Sequence, residues 1–274
     1  MSSAASQAKS KANRAADSKP LEYLARGGFI AYGVIHLLFA WLALQIAFGN
    51  SGKESDQSGA LTELAKKPFG EVLVIIVIIG MVALAVWQGF IAALGENDEQ
   101  GKTKVTDRVV SGIRAVIYLT IAWSGFKIVK GAGASNANSQ EKGASTLMDH
   151  TGGRWLLGFI GLVVIGVGVG LAIYGLKKKF EEHQNVQQMS STVHKTVRRA
   201  AMFGYAAKGV AYVIAGVLVV IAAVTYNPDK ARGLDAALRT LAQASYGPWL
   251  LALIALGIAA FGVFCFAQAK YRKV

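Results

Sequence analysis

The stretch GFIAYGVIHLLFAW, residues 28–41, decides the fold because it returns twice, as VSGIRAVIYLTIAW at residues 110–123 and as GYAAKGVAYVIAGV at residues 204–217. The three copies align without a gap. Each opens a pair of apolar spans of a little over twenty residues around a polar loop. The spans run from Gly27 to Phe48, Val72 to Leu94, Val109 to Val129, Trp155 to Leu176, Phe203 to Val224 and Trp249 to Ala269. At ~1.5 Å rise per residue each is long enough to cross ~30 Å of hydrocarbon. The expected fold is an all-α integral membrane protein of six transmembrane helices. Three parallel helix-pair repeats, over residues 21–100, 101–185 and 186–274, close into a pseudo-threefold bundle.

Two columns of the alignment carry polar side chains. Tyr32, Arg114 and Lys208 share one, and His36, Tyr118 and Tyr212 share another, one helical turn further on and on the same face. The loop of each pair holds a short apolar motif before a glycine: GALTELAKKPFG from Gly59, GASTLMDHTGG from Gly143 and GLDAALRTLAQASYG from Gly233. Each loop is expected to contain a short amphipathic helix lying at the surface. The second helices align well in repeats one and three, and repeat two calls for a small shift after Gly153.

Composition agrees, since 53% hydrophobic and 16% charged residues leave too little polar surface for a soluble domain. The acids lie in tails, loops and span edges. Most of the 29 Lys and Arg residues fall in the two termini and in the loops from Gly95 to Arg108 and from Lys177 to Arg199. Basic residues are retained on the cytoplasmic side during insertion, so both termini are expected there, in the plasma membrane. Repeats that all start inside, go out and return are parallel, with their symmetry axis along the membrane normal. Residues 1–20 lack the apolar core of a signal peptide and read as a disordered basic cytoplasmic tail. Lys177 to Lys179, Arg198, Arg199, Lys270, Arg272 and Lys273 would face the anionic inner leaflet. No soluble domain, aromatic platform or zinc motif accompanies the charge, so nucleic acid is not the expected partner. Cys265 lies inside the last span, where an apolar structural role is expected.

The segments ARGGFIAYGV from Ala25, RRAAMFGYAAKGVAY from Arg198 and LLALIALGIAAFG from Leu250 give the chain a resemblance to a family. It resembles an uncharacterised membrane family, common in actinobacteria and known only as a domain of unknown function, in which a transmembrane helix pair is repeated three times. Repeat two departs from the pattern, with Ala115 where the others have Gly33 and Gly209. The resemblance implies the fold and a membrane location and assigns no catalytic residue.

Function therefore rests on the polar residues of the spans. Arg114 and Lys208 stand out because a cation in hydrocarbon is expensive unless it snorkels or finds a partner. They are candidates for binding an anionic lipid or ligand, against the alternative that their long side chains reach inner-leaflet phosphates. No acid at membrane depth is available to pair with them, which weakens proton- or sodium-coupled transport. His36, with Tyr32, Tyr118 and Tyr212, is a candidate intramembrane polar contact, either an interhelical hydrogen bond, a proton-sensitive switch or a ligand contact. Metal and haem are not expected, because His150, His183 and His194 all fall in loops and leave His36 without a second ligand. Gln45, Gln88 and Gln268 are read as interfacial. Gly166 and Gly170 form a GxxxG pair for packing within the bundle or docking against another subunit.

No GxSxG, HExxH, Walker-type loop, CxxC or carboxylate cluster is present in the sequence, so no enzymatic activity and no cofactor are expected. Two readings remain. One is a structural or accessory subunit, or assembly factor, beside a larger membrane complex. The other is a small transporter or channel for an anionic solute or lipid. Convergence of Arg114, Lys208 and His36 on a central water-accessible cavity would favour the second, and side chains pointing separately to lipid and to packed neighbours would not.

Overall fold

A computed structural model describes residues 19–49, 54–95 and 105–273. The helices are α1 (Lys19–Ala47), α2 (Gln57–Ala65), α3 (Gly70–Leu94), α4 (Val105–Val129), α5 (Asn136–Met148), α6 (Gly153–Leu176), α7 (Ser191–Thr225), α8 (Gly233–Ala242) and α9 (Gly247–Tyr271). Six of them, α1, α3, α4, α6, α7 and α9, are long and apolar enough to cross a membrane. Among the described residues there is no strand, only one isolated bridge between Gln184 and Arg272. The expected tail lies outside the described residues up to Ser18, and Lys19 and Pro20 already belong to α1.

The six long helices are apolar on their outer faces as well as inside. Ile75, Ile79, Phe159, Leu162, Leu253 and Leu256 are all exposed, an arrangement that is stable against lipid and not against water. The chain is a multi-pass membrane protein. Six crossings, an even number, return the end of the last helix to the side on which the first began, which we call the terminal side.

The repeats pack cyclically. The second long helix of each pair lies against the first of the next: α3 on α4, α6 on α7, and α9 on α1. Within pairs, α1 packs on α3 and α7 on α9. The pseudo-threefold ring is interrupted at one place, since α4 and α6 share no comparable contact.

The crossing points are built from one repeated column. Fifteen residues after Gly70, Gly153 and Gly247 stand Ala85, Gly168 and Gly262. A methyl at Gly168 would come 2.7 Å from the Gly209 carbonyl oxygen, and one at Gly262 would come 3.0 Å from that of Gly33. The backbones there approach as closely as small residues allow. The third crossing offers the pair Ala85 and Ala115, so at this column repeat two needs no shift after Gly153.

Gly70, Gly153 and Gly247 themselves close the hairpins. Their N–H groups donate to the carbonyls of Lys67, His150 and Ala244 at 2.7, 2.9 and 2.8 Å. A Cβ at any of the three would collide with the carbonyl of the leucine six residues earlier, Leu64, Leu147 or Leu241. This turn returns the chain from each short helix into the membrane.

The short helices do not simply lie at the surface, as the loop motifs suggested. Leu61 of α2 and Leu238 of α8 are fully buried in the main core, and Ala144 of α5 packs with Leu157 of α6. Asp56 and Ser135 cap α2 and α5, accepting from Gly59 N and Asn138 N, each at 2.9 Å. The caps are then tied together. Ser58 Oγ donates to Asp56 at 2.6 Å and accepts from Asn136 N at 3.0 Å, Ser135 Oγ donates to Glu54, and Asp235 accepts from Ser55 N at 2.9 Å and from Arg239 at 2.9 Å. Burial pushes the Asp56 carboxyl up, with the Ser58 and Gly59 hydrogen bonds opposing it. α2, α5 and α8 thus close the end of the bundle away from the termini.

On the terminal side α7 runs through 35 residues, well past the span read from Phe203. Ser190 caps it, and Glu181 joins it to the preceding turn through Arg198 at 2.7 Å and His194 at 2.9 Å. The Arg198 hydrogen bonds, helped by His194, hold the Glu181 carboxyl below its usual range despite partial burial.

Candidate functional site

Tyr32 and His36 are one turn apart on α1, on the face turned to the centre, and both are buried. His36 Nδ1 lies 2.8 Å from the Tyr32 carbonyl oxygen. A carbonyl only accepts, so Nδ1 carries the hydrogen and Nε2 keeps its lone pair. Lys208 of α7 stands 3.2 Å from that Nε2 and donates to it. The same ammonium sits 3.8 Å from the centroid of the Phe261 ring on α9 and 5.6 Å from that of Tyr32. Lysine, imidazole and two aromatic faces from three helices form one packed unit.

Tyrosines extend the unit. The Tyr32 ring meets Tyr118 of α4 edge-on at 5.2 Å, and Tyr205 of α7 meets Phe261 at 5.1 Å and Tyr174 of α6 at 5.0 Å. Arg114, the α4 member of the cation column, does not reach out of the bundle. Its guanidinium faces the Tyr174 hydroxyl, with Tyr205 and Tyr118 around it and Lys208 within electrostatic range. Tyr212 completes the surroundings of Tyr32, with the Cys265 thiol and Tyr205. Cys265 is fully buried beside Lys208.

The interior floor is a segment the sequence reading assigned to the leaflet surface. After α9 the chain turns back, with Asn185 N donating to the Tyr271 carbonyl at 2.7 Å and Lys273 N to that of His183 at 3.1 Å. This pairing carries Arg272 inward. It is buried, its guanidinium 4.9 Å from the Trp87 ring centroid and 5.4 Å from that of Phe29, so it does not face lipid headgroups. Phe180 is buried as well, 5.4 Å from Phe264 and 6.0 Å from Tyr205.

Electrostatically the site is one-sided. Lys208 and Arg114 bring two cations into the terminal half of the bundle, beside neutral imidazole, hydroxyls and ring faces, with Glu182 of the turn after α6 within electrostatic range of Tyr174. Among the described residues the acids of the six long helices are Glu22, Glu71 and Asp107, each in a first turn. A positive charge held inside a membrane bundle mainly by neutral groups is expensive to maintain, and such placements in membranes mark sites built for a ligand or for charge movement.

The sequence columns therefore converge. Tyr32, His36, Tyr118, Lys208 and Arg114 share one cluster, with Tyr212 at its edge. Gly166 and Gly170 take no part in packing within the bundle, which corrects that half of their reading. A Cβ on either would meet nothing within 4 Å, whereas Gly161, Gly168 and Gly175 press against α7. These three repeat every seven residues, and two residues from Gly168 is ~200° around a helix of 3.6 residues per turn, so Gly166 and Gly170 point the other way. Gln88 and Gln268 are buried rather than interfacial. Gln88 occupies in α3 the position of Cys265 in α9, eighteen residues after the hairpin glycine.

The sequence reading missed a second basic column. Arg26 and Arg108 each stand two residues before the repeated stretch. Arg26 donates to the carbonyls of Ala269 and Lys270 at 2.7 and 2.9 Å, and Arg108 to those of Ala92 and Ala93 at 2.8 and 2.5 Å. Each first helix so caps the final carbonyls of the helix it packs against. Repeat three has Met202 there. Equal spacing from the repeat start was the signal that could have shown the pair.

The family model of a domain of unknown function, DUF1206, matches the chain three times, over residues 27–95, 109–178 and 203–272. The chain belongs to this family. Each DUF1206 match covers one helix pair with its short intervening helix. The chain is also 26% identical over 261 residues to the uncharacterised protein YxxB of Bacillus subtilis (strain 168), covering 94% of both chains. No solved structure matches the DUF1206 chain.

Proposed function

We propose that this protein is a non-enzymatic component of the plasma membrane, with both termini cytoplasmic, whose bundle interior binds an anionic group. One observation carries the reading: Lys208, Arg114 and His36, from three different helices, lie in one cluster to which none of the described membrane helices contributes a carboxylate. An anion there would receive charge-assisted hydrogen bonds from Arg114 and Lys208 and relieve their mutual repulsion. The distribution of Lys and Arg supports cytoplasmic termini. The test is thermal unfolding of the purified chain with a panel of phosphate- and carboxylate-bearing compounds, beside Arg114→Gln/Lys208→Gln. Stabilisation by an anion class, lost in the double variant, supports the proposal. Absence of any anion effect, or an equal effect on the variant, removes it.

An accessory-subunit role is the second reading, favoured by the outward face of α6, where Gly166 and Gly170 leave a shallow apolar surface beside exposed Val163 and Val167. A neighbouring helix could approach closely there. Stoichiometric companions on purification from native membranes would support it.

A further inference from the structure

We propose that the anionic group is the phosphate of a phospholipid from the leaflet on the terminal side, and that it reaches Arg114 and Lys208 sideways between α4 and α6. This rests on the interior-anion reading above and adds the source of the anion and its route.

Among the described residues both ends of the bundle are covered. On the far side α2 and α5 are tied by the hydrogen bonds among Glu54, Asp56, Ser58, Ser135 and Asn136, and α8 joins them through Asp235, which accepts from Ser55 N. On the terminal side Phe180 and Arg272 are buried under the cluster. The ring is interrupted between α4 and α6, where no close helix packing joins the two and Arg114 faces Tyr174 instead. Arg114, Tyr174 and Lys208 are partly exposed, while Tyr32, His36, Tyr118 and Phe261 are buried.

Depth and surroundings fit a lipid. Arg114 is nine residues into α4, ~13 Å along the helix, and Tyr174 stands two residues before the end of α6. That is the level at which headgroup gives way to acyl chain. Within the two helices the exposed neighbours of this pair include Val110, Ile113 and Ile117 on α4 and Val169 and Ile173 on α6, with exposed Lys177 and Lys178 just past the end of α6. They offer a surface for acyl chains, while the planar Arg114 fork and the Lys208 ammonium suit phosphate oxygens. Among the described residues a free phosphate would have to pass the covered ends.

The experiment uses the full chain in an uncharged detergent. It is titrated with phosphatidylglycerol, with phosphatidylcholine and with water-soluble glycerol phosphate, and occupancy is read by native mass spectrometry. Phosphatidylglycerol should bind at least ~10-fold more tightly than either competitor. Arg114→Gln and Lys208→Gln should each lower that affinity ~10-fold, the size of one charge-assisted hydrogen bond, while Arg114→Lys retains most of it and controls for folding. Phosphatidylglycerol with a photoreactive headgroup should crosslink to peptides of α4 and α6. Glycerol phosphate binding as tightly as the lipid, with the same dependence on Arg114 and Lys208, would overturn the lateral lipid route and leave the interior-anion reading standing. Binding of both compounds indifferent to the substitutions would overturn the two together. Crosslinks confined to α3 or α9 would overturn the route alone.

Discussion

Replacing Gly168 by Leu should loosen the protein, and replacing Gly166 by Leu, two residues away, should not. The first added atom at Gly168 would stand 2.7 Å from the Gly209 carbonyl oxygen, 2.8 Å from Val213 N and 2.9 Å from Val213 Cγ2. Ordinary Cβ contacts begin at 3.4 Å, so the backbones must part by 3.4 − 2.7 = 0.7 Å for that atom alone. Two of the three obstacles are main-chain atoms and cannot rotate away. Overpacking of this kind costs about 3 kcal/mol at the upper end of its usual range. The better helix propensity of leucine returns somewhat under ~1 kcal/mol. A net loss of about 2 kcal/mol corresponds to roughly 4–8 °C in the unfolding midpoint at ~2–4 °C per kcal/mol. Gly166→Leu meets open space and keeps only the propensity gain, so its midpoint should stay level or rise slightly. Both variants are compared by thermal unfolding in one detergent. Equal midpoints, or a larger drop for Gly166→Leu, would refute the orientation of α6.

Removing the His36 acceptor by His36→Leu leaves the Lys208 ammonium unpaired in the core, and should destabilise by ~3–5 kcal/mol. The double variant His36→Leu/Lys208→Met should recover most of that loss in the same unfolding assay, whereas additive losses would mean the two side chains are not coupled. Glu181→Gln should flatten the acid limb of stability. The Arg198 and His194 hydrogen bonds lower the folded-state pKa of Glu181, so its contribution is present above the ordinary glutamate value of ~4.3 and is lost as pH falls through the lower folded value. A wild-type acid limb unchanged by the substitution would count against the Glu181 contact. Gly153→Ala places a methyl against the Leu147 carbonyl and should lower the midpoint by several degrees, and Gly143→Ala, where a methyl meets nothing, should not.

Three copies of one apolar pattern and their turn glycines were enough to read six spans and a threefold layout, because length and period are written along the chain. Which helices touch is not. The His36 to Lys208 contact joins α1 and α7, 172 residues apart, and follows only from the cyclic rule that α9 lies between them. Gly166 and Gly170 attracted a motif reading, yet the face toward α7 is set by the seven-residue spacing of Gly161, Gly168 and Gly175. Arg272 and Gln88 were assigned to interfaces because they stand near span ends. The return of the chain after Tyr271 buries the first, and the centre-facing column that Gln88 shares with Cys265 buries the second. The interruption between α4 and α6 has no local sequence mark, since it is an absence of packing between helices whose own sequences look ordinary.

Native mass spectrometry of the tagged protein, extracted from its own membranes in a mild detergent, tests the central claim most directly. The account predicts a lone bundle carrying anionic phospholipid, with the lipid lost from Arg114→Gln/Lys208→Gln. A stoichiometric protein companion on a bundle free of bound anion would contradict it and establish the accessory role in its place.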